Sequence, residues 1–249
     1  MSIRIGDYEV FDCDYRVNNV FQAISVEDEH LYAMKIFPHK RLPKSETILC
    51  FQQQAEKLIP MQHKNIIRIY DHGTFKNTLY YVMEYIEGTT LTKSIYSRGH
   101  FEEKQALRIA LQIVSAVQYM SQRGFVCYDI TPSNIMITKN NSKIFNLIKV
   151  NQKDHLVTAF EEECEGEMKE RNNIFTIGMI LYYMLTATFT SIKEGSVELL
   201  SNMKEKNPRV SELTCEIVTR MATVGKKVHY PNYATIINDL LLAVTDDKE

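Results

Sequence analysis

Between Cys127 and Ile137 the chain gathers side chains that can do chemistry: the carboxylate of Asp129, the hydroxyls of Thr131 and Ser133, and the amide of Asn134, set around Pro132. A carboxylate can take a proton from a hydroxyl, and an amide oxygen can bind a hard cation. The same two groups can also do no more than hydrogen-bond their own loop. Far upstream, Lys35 lies in the apolar run Leu31-Tyr32-Ala33-Met34-Lys35-Ile36 and offers a cation, either as an ordinary strand-edge lysine or as a contact for an anion.

These groups need elements to hold them. Up to Tyr85 the pattern predicts strands at Tyr8–Phe11, Val20–Ile24, Leu31–Ile36, Ile66–Tyr70 and Leu79–Tyr85. One helix interrupts them, from Ser45 as N-cap to Ile59, with Ile48, Phe51, Ala55 and Leu58 on one buried stripe. After Gly88 the character changes, and helices are predicted over 103–123, 173–188, 211–223 and 231–244. Pattern alone supports an α+β fold.

Bulk properties narrow the classes. The 249 residues are 45% hydrophobic and 24% charged with a net charge of −2, which leaves no electrostatic footprint for nucleic acid or an anionic membrane. Five cysteines, at 13, 50, 127, 164 and 215, form no CxxC pair, so neither a zinc site nor a disulfide framework is expected and a reducing, cytoplasmic setting fits. Asn172 to Ile192 carries no charge, yet its threonines and tyrosines make it a buried helix rather than a membrane span. The first residues, Met1 to Asp7, lack the apolar segment of a signal peptide, and no linker or repeat divides the chain.

Five fragments in order resemble the motifs of a eukaryotic-type serine/threonine protein kinase domain, with a bacterial flavour. Tyr32-Ala33-Met34-Lys35 is similar to V-A-I-K, His63-Lys64-Asn65-Ile66 to H-P-N-I, and Tyr81 to Gly88 to a gatekeeper and hinge with Met83 as gatekeeper. Tyr128-Asp129-Ile130-Thr131-Pro132-Ser133-Asn134 resembles R-D-L-K-P-x-N, and Asn173 to Gly178 resembles D-I-Y-S-L-G. The resemblance implies a bilobal kinase-like fold, one domain over 1–249, with a small β-rich N-lobe at 1–85 and a larger, mainly helical C-lobe at 86–249. It implies a base at Asp129, a phosphate contact at Lys35, and a metal ligand at Asn134. It also implies a nucleotide site at Val20, Ala33, Met83, Glu84, Ile86 and Met136, and a spine of Leu58, Cys127 and Leu147.

The departures from the family are chemical. The glycines of a phosphate-covering loop are replaced by Cys13, Tyr15 and Asn18, and any Cβ obstructs the approach of backbone N–H groups to phosphate. The glutamate that orients the lysine is Gln54, and Glu56, two residues on, faces elsewhere. The D-F-G aspartate is Asn146, a neutral and weaker magnesium ligand, and its glycine is Ile148. The segment between Asn146 and Asn173 is short and lacks A-P-E, with Glu161 as a remnant. Residues 161–170 carry six Glu against one Lys, a solvated loop or a dock for a basic partner, and the arginine that pairs with the A-P-E glutamate is lost near His229-Tyr230-Pro231.

The expectation is therefore a pseudokinase: a scaffold or allosteric module binding another protein, with Asp129 and Lys35 retained but efficient transfer lost, ATP bound weakly or not at all, and no Mg2+. Two alternatives stand beside it. One is a divergent ATP-dependent serine/threonine kinase or other transferase using Lys35, Asp129 and Asn134. The other is a metal-independent nucleotide sensor. The expected partner is a kinase or signalling protein, with neither nucleic acid nor membrane involved.

Overall fold

The computed structural model describes residues 2–11, 19–38, 43–127, 129–148, 150, 166–188, 203–223 and 230–245, with the side chains of 166–170 excepted. The phosphate-loop positions Cys13, Tyr15 and Asn18, together with Tyr128, residues 161–165 and His229, lie outside the described residues. The chain divides into two compact units, residues 1–87 with 146–164, and residues 88–145 with 165–249.

The first unit is a six-stranded antiparallel sheet, ordered β1-β2-β3-β4-β6-β5, with one helix. Its strands are β1 (Ser2–Ile5), β2 (Tyr8–Phe11), β3 (Val20–Ser25), β4 (Leu31–Pro38), β5 (Ile69–Phe75) and β6 (Thr78–Glu84). Period-2 alternation sorts them into two faces. Ile5, Val10, Ala23, Met34, Tyr80 and Val82 form a core on one side. The residues between them, Lys35, Tyr81 and Met83 among others, point to the other. Helix α1 (Ser45–Leu58) buries Phe51, Ala55 and Leu58 at i, i+4 and i+7. Ser45 does not cap it: Lys44 occupies the cap and makes no side-chain bond, so Ser45 is the first helical residue.

The predicted strand at Ile66–Tyr70 is corrected. Ile66 closes a turn on the His63 carbonyl, and the strand begins only at Ile69. Ile66 and Ile67 are buried all the same, so their apolar run reports burial rather than extended pairing.

The second unit is mostly helical. A small sheet, β7 (Thr89–Thr90), β8 (Ile135–Ile137) and β9 (Ser142–Ile144), packs with α2 (Leu91–Arg98) and α3 (Glu103–Ser121). None of the three short strands nor α2 was expected from pattern, because two- and three-residue strands carry no period to read. Thr90 caps α2 by accepting the Lys93 N–H at 3.3 Å. Helices α4 (Gly166–Thr186), α5 (Glu212–Ala222) and α6 (Tyr233–Thr245) complete the unit.

Residues 172–186 of the uncharged stretch lie in α4, where Ile177, Leu181, Tyr182, Met184 and Leu185 are buried. Gly178 lets α4 approach α5 closely, since a Cβ there would lie 2.6 Å from Met221 Cβ. Among the described residues no helix is long and apolar enough to cross a membrane.

Candidate active site

In the first unit the candidate residues share one face of the sheet. The register runs Val20 opposite Lys35 opposite Tyr81, and Ala33 opposite Met83. One face therefore carries Val20, Ala33, Lys35 and Met83 together. Ala33 and Met83 are buried and Val20 and Ile86 half-buried. Among the described residues Lys35 is the one buried side chain of the Asp, Glu, Lys and Arg types, at 6% exposure. Its Nζ lies 5.5 Å from the centre of the Phe37 ring, and burial pushes its pKa down from 10.5 to about 8.

Gln54 is half-buried on α1 and donates Nε2 to the Cys50 carbonyl at 3.2 Å, while Glu56 is exposed. Glu84 is engaged twice with Arg68: its Oε1 accepts the Arg68 N–H at 2.8 Å and its own N–H donates to the Arg68 carbonyl at 2.9 Å. Its carboxylate is thus a brace for the chain before β5. Asn146 holds a left-handed backbone with φ 59°, a conformation asparagine adopts at lower cost than other side chains. Leu147 and Ile148, which follow it, are buried, as is Leu58.

In the second unit the loop from Cys127 forms a compact hydrogen-bonded knot. Cys127 and Ile130 are buried and anchor it. Asn134 is 3% exposed, and its Nδ2 donates to both the Asp129 carbonyl (3.1 Å) and the Asp129 Oδ2 (3.0 Å). Its N–H donates to the Thr131 carbonyl, and its carbonyl accepts the Phe145 N–H, both at 2.9 Å. The Thr131 and Ser133 hydroxyls meet at 2.9 Å. Met136, half-buried, is held in β8 by pairing with Thr90 and Lys143. Gly88 permits this pairing, because a Cβ there would collide with the Ile137 carbonyl. Behind the loop, Gln112 of α3 accepts both the N–H and the hydroxyl of the buried Ser142, at 2.8 and 2.7 Å.

The structure therefore joins Asp129 to Asn134 and lines up Val20, Ala33, Lys35 and Met83. Sequence reasoning missed Arg68, Gln112, Tyr81 and His72. Tyr81 meets Lys35 only through strand register, and nothing local marks it, Gln112 or Arg68. Near the C-terminus, Tyr230 is buried, donates to Asp239 Oδ2 at 2.8 Å and packs its ring against Arg220.

Among the described residues no group of three or more His, Cys, Asp or Glu is placed to hold a metal ion. The donors that the resemblance offers are the amide oxygens of Asn134 and Asn146. So sparse a donor set suits an ion that arrives with most of its ligands, as magnesium does on nucleotide phosphates.

A family model described as the protein kinase domain matches residues 16–241. The chain is 29% identical over 206 residues to serine/threonine-protein kinase PrkC of Bacillus subtilis, covering 76% of this chain and 32% of that protein. It is 30% identical over 258 aligned positions to a probable serine/threonine-protein kinase of Clostridium acetobutylicum, covering 92% and 39%. The chain thus spans well under half the length of these curated relatives. Among solved structures, the PknI kinase domain of Mycobacterium tuberculosis superposes with a TM-score of 0.74 at 14% identity, covering 97% of each chain. Rad53 in complex with AMP-PNP gives 0.73 at 19%, covering 94% of this chain and 64% of that one. At these identities the structural likeness establishes the fold alone.

These matches overturn the expectation of a pseudokinase acting only through binding. Relatives at 29–30% identity are named as serine/threonine-protein kinases. The expectation treated each lost carboxylate or glycine as an independent defect. Effects of residues that serve one reaction are not additive, so independent losses cannot be summed into an absence of activity. The divergent-kinase alternative accords better with the matches.

Proposed function

The chain belongs to the protein kinase domain family, and from that premise we propose that it is a divergent ATP-dependent serine/threonine protein kinase. The observation that carries this reading is the Asp129–Asn134 pair: an amide bonded to both the carboxylate and the carbonyl of one aspartate fixes the aim of that carboxylate. Asp129 orients the attacking hydroxyl of a serine or threonine on a protein partner and accepts its proton. Lys35 neutralises phosphate charge. Val20, Ala33 and Met83, on one face of the first unit's sheet, contact the purine. The main chain of Glu84 and Ile86 meets its polar edge, the Glu84 carboxylate being engaged with Arg68.

Asn134 in the second unit and Asn146 in the first would each offer a cation an amide oxygen. ATP and the magnesium it carries supply the phosphoryl group and most of the charge neutralisation. With Gln54 and Asn146 in place of carboxylates turnover is slow, each tenfold loss corresponding to about 1.4 kcal/mol of barrier. A cytoplasmic setting accords with the free thiols of Cys50 and Cys215.

The test is transfer of labelled γ-phosphate from ATP, with magnesium, to the protein itself and to serine- and threonine-containing protein substrates. Transfer is expected, and Asp129→Ala is expected to reduce it by roughly a hundredfold or more. Transfer untouched by Asp129→Ala, or none from the wild type, refutes the reading.

A further inference from the structure

The strands β4, β6 and β5 lie side by side, and their register sets Lys35, Tyr81 and His72 in one row across the sheet. All three therefore project from the same face, the one covered by α1. Phe37 and Phe51 pack over this row: the Phe37 ring centre is 5.9 Å from that of Tyr81, and Phe51 is 5.9 Å from His72. Tyr81 is wholly buried, and among the described residues its hydroxyl has no hydrogen-bond partner; the buried His72 Nδ1 has none either. Buried polar atoms without partners are costly and rare, and two adjacent ones in register beside a buried cation are unlike ordinary core.

The surroundings say what these atoms are for. Helix α1 presents Phe51, Ala55 and Leu58 inward, while its charged residues Glu46, Glu56 and Lys57 are exposed. Position 54 is a glutamine. Tyr81 stands opposite Lys35 on the adjoining strand, and His72 stands next in the row, opposite Tyr81. A tyrosine hydroxyl can accept a hydrogen bond from an ammonium while donating its own O–H to an imidazole nitrogen. Cβ atoms of opposed residues in an antiparallel pair lie about 4.5–5.5 Å apart, well inside the reach of a four-carbon lysine stem.

We propose that Tyr81 is a positioning residue for Lys35: its hydroxyl accepts a hydrogen bond from the ammonium and donates to His72 Nδ1. The bonds form by side-chain rotation within the row, with no proton changing owner. The sheet thereby supplies a neutral hold on the lysine where α1 supplies no buried carboxylate. The proposal rests on the kinase reading in that Lys35 must meet a nucleotide for its orientation to matter.

Tyr81→Phe removes only the hydroxyl, and two readouts follow. The first needs no activity: the pH dependence of Lys35 acylation, read by mass spectrometry, gives the lysine's pKa. Loss of an acceptor disfavours the ammonium, so this pKa is expected to lie about one unit lower in the variant than in the wild type. The second is the kinase assay, where KM for ATP is expected to rise roughly tenfold, the melting temperature falling by only the few degrees that a one-unit lower lysine pKa implies. His72→Phe is expected to move both in the same direction by less. An unchanged Lys35 pKa in Tyr81→Phe overturns the proposal, whatever the enzyme does. A wild type that transfers no phosphate refutes the kinase reading instead, and Lys35 labelling still decides whether Tyr81 holds the lysine.

Discussion

Replacing Lys35 by methionine should make the protein more stable near neutral pH while abolishing nucleotide contact. Methionine keeps the length and the apolar stem and removes only the ammonium. Burial lowers the lysine pKa from 10.5 to about 8, so the folded state binds this proton less tightly than the unfolded chain does. At 1.36 kcal/mol per unit the full shift corresponds to about 3 kcal/mol of lost stability. Solvent still screens the end of the side chain, which reduces the figure to about 1–2 kcal/mol. The penalty is fully present below pH 8 and is relieved as pH rises from 8 towards 10.5, because there the unfolded chain gives up the proton as well. Thermal melts of wild type and Lys35→Met between pH 6.5 and 10, limits chosen to bracket roughly that window, are the assay. The variant should melt about 2–8 °C higher at neutral pH, with the gap closing at the alkaline end. A variant less stable than wild type at pH 7, or a gap that does not change with pH, would refute the account of Lys35 as a buried, desolvated cation.

Two further predictions concern the other neutral substitution and the helical unit. Asn146→Asp puts a carboxylate at a cation-ligand position while keeping a residue type that tolerates φ 59°. It should raise magnesium-dependent transfer by about tenfold or more, and a magnesium titration of initial rates reads it. Glu103 of α3 accepts the Ser211 N–H at 3.0 Å, the Ser211 hydroxyl at 2.5 Å and the Thr214 hydroxyl, tying down the start of α5. Glu103→Ala leaves the buried Thr214 hydroxyl without that acceptor and should cost about 2–3 kcal/mol in chemical denaturation.

What could be read from the sequence follows how local each signal is. The strand Leu31–Pro38 and helix Ser45–Leu58 declare themselves through a period of two and a stripe at i, i+4, i+7, and Lys35 and Gln54 come with them. Asp129 and Asn134 stand five residues apart, so the knot they form was within reach of the motif. Residues that meet only through sheet register or between elements were not legible. His72 enters the Lys35 row because β5 pairs with β6, and Gln112 reaches Ser142 from 30 residues away. A different limit explains the overweighted losses. Residue types report which charges are missing, whereas the relatives' names report on the family as a whole.

In the proposed site the substitutions at Gln54 and Asn146 act together on the electrostatics around Lys35. Each removes a negative charge that would otherwise sit near bound phosphates. Removing them lessens repulsion of the polyanionic nucleotide and at the same time weakens the protein's own grip on magnesium. Binding and transfer should therefore respond differently to the metal. Calorimetric titration with ATP should detect binding without magnesium, with magnesium changing the affinity by less than about tenfold, whereas phosphate transfer should vanish when the metal is chelated. Binding that requires magnesium as strictly as transfer does would mean the protein holds the ion through ligands other than Asn134 and Asn146. In that event the charge-loss account of this site fails while the kinase reading stands.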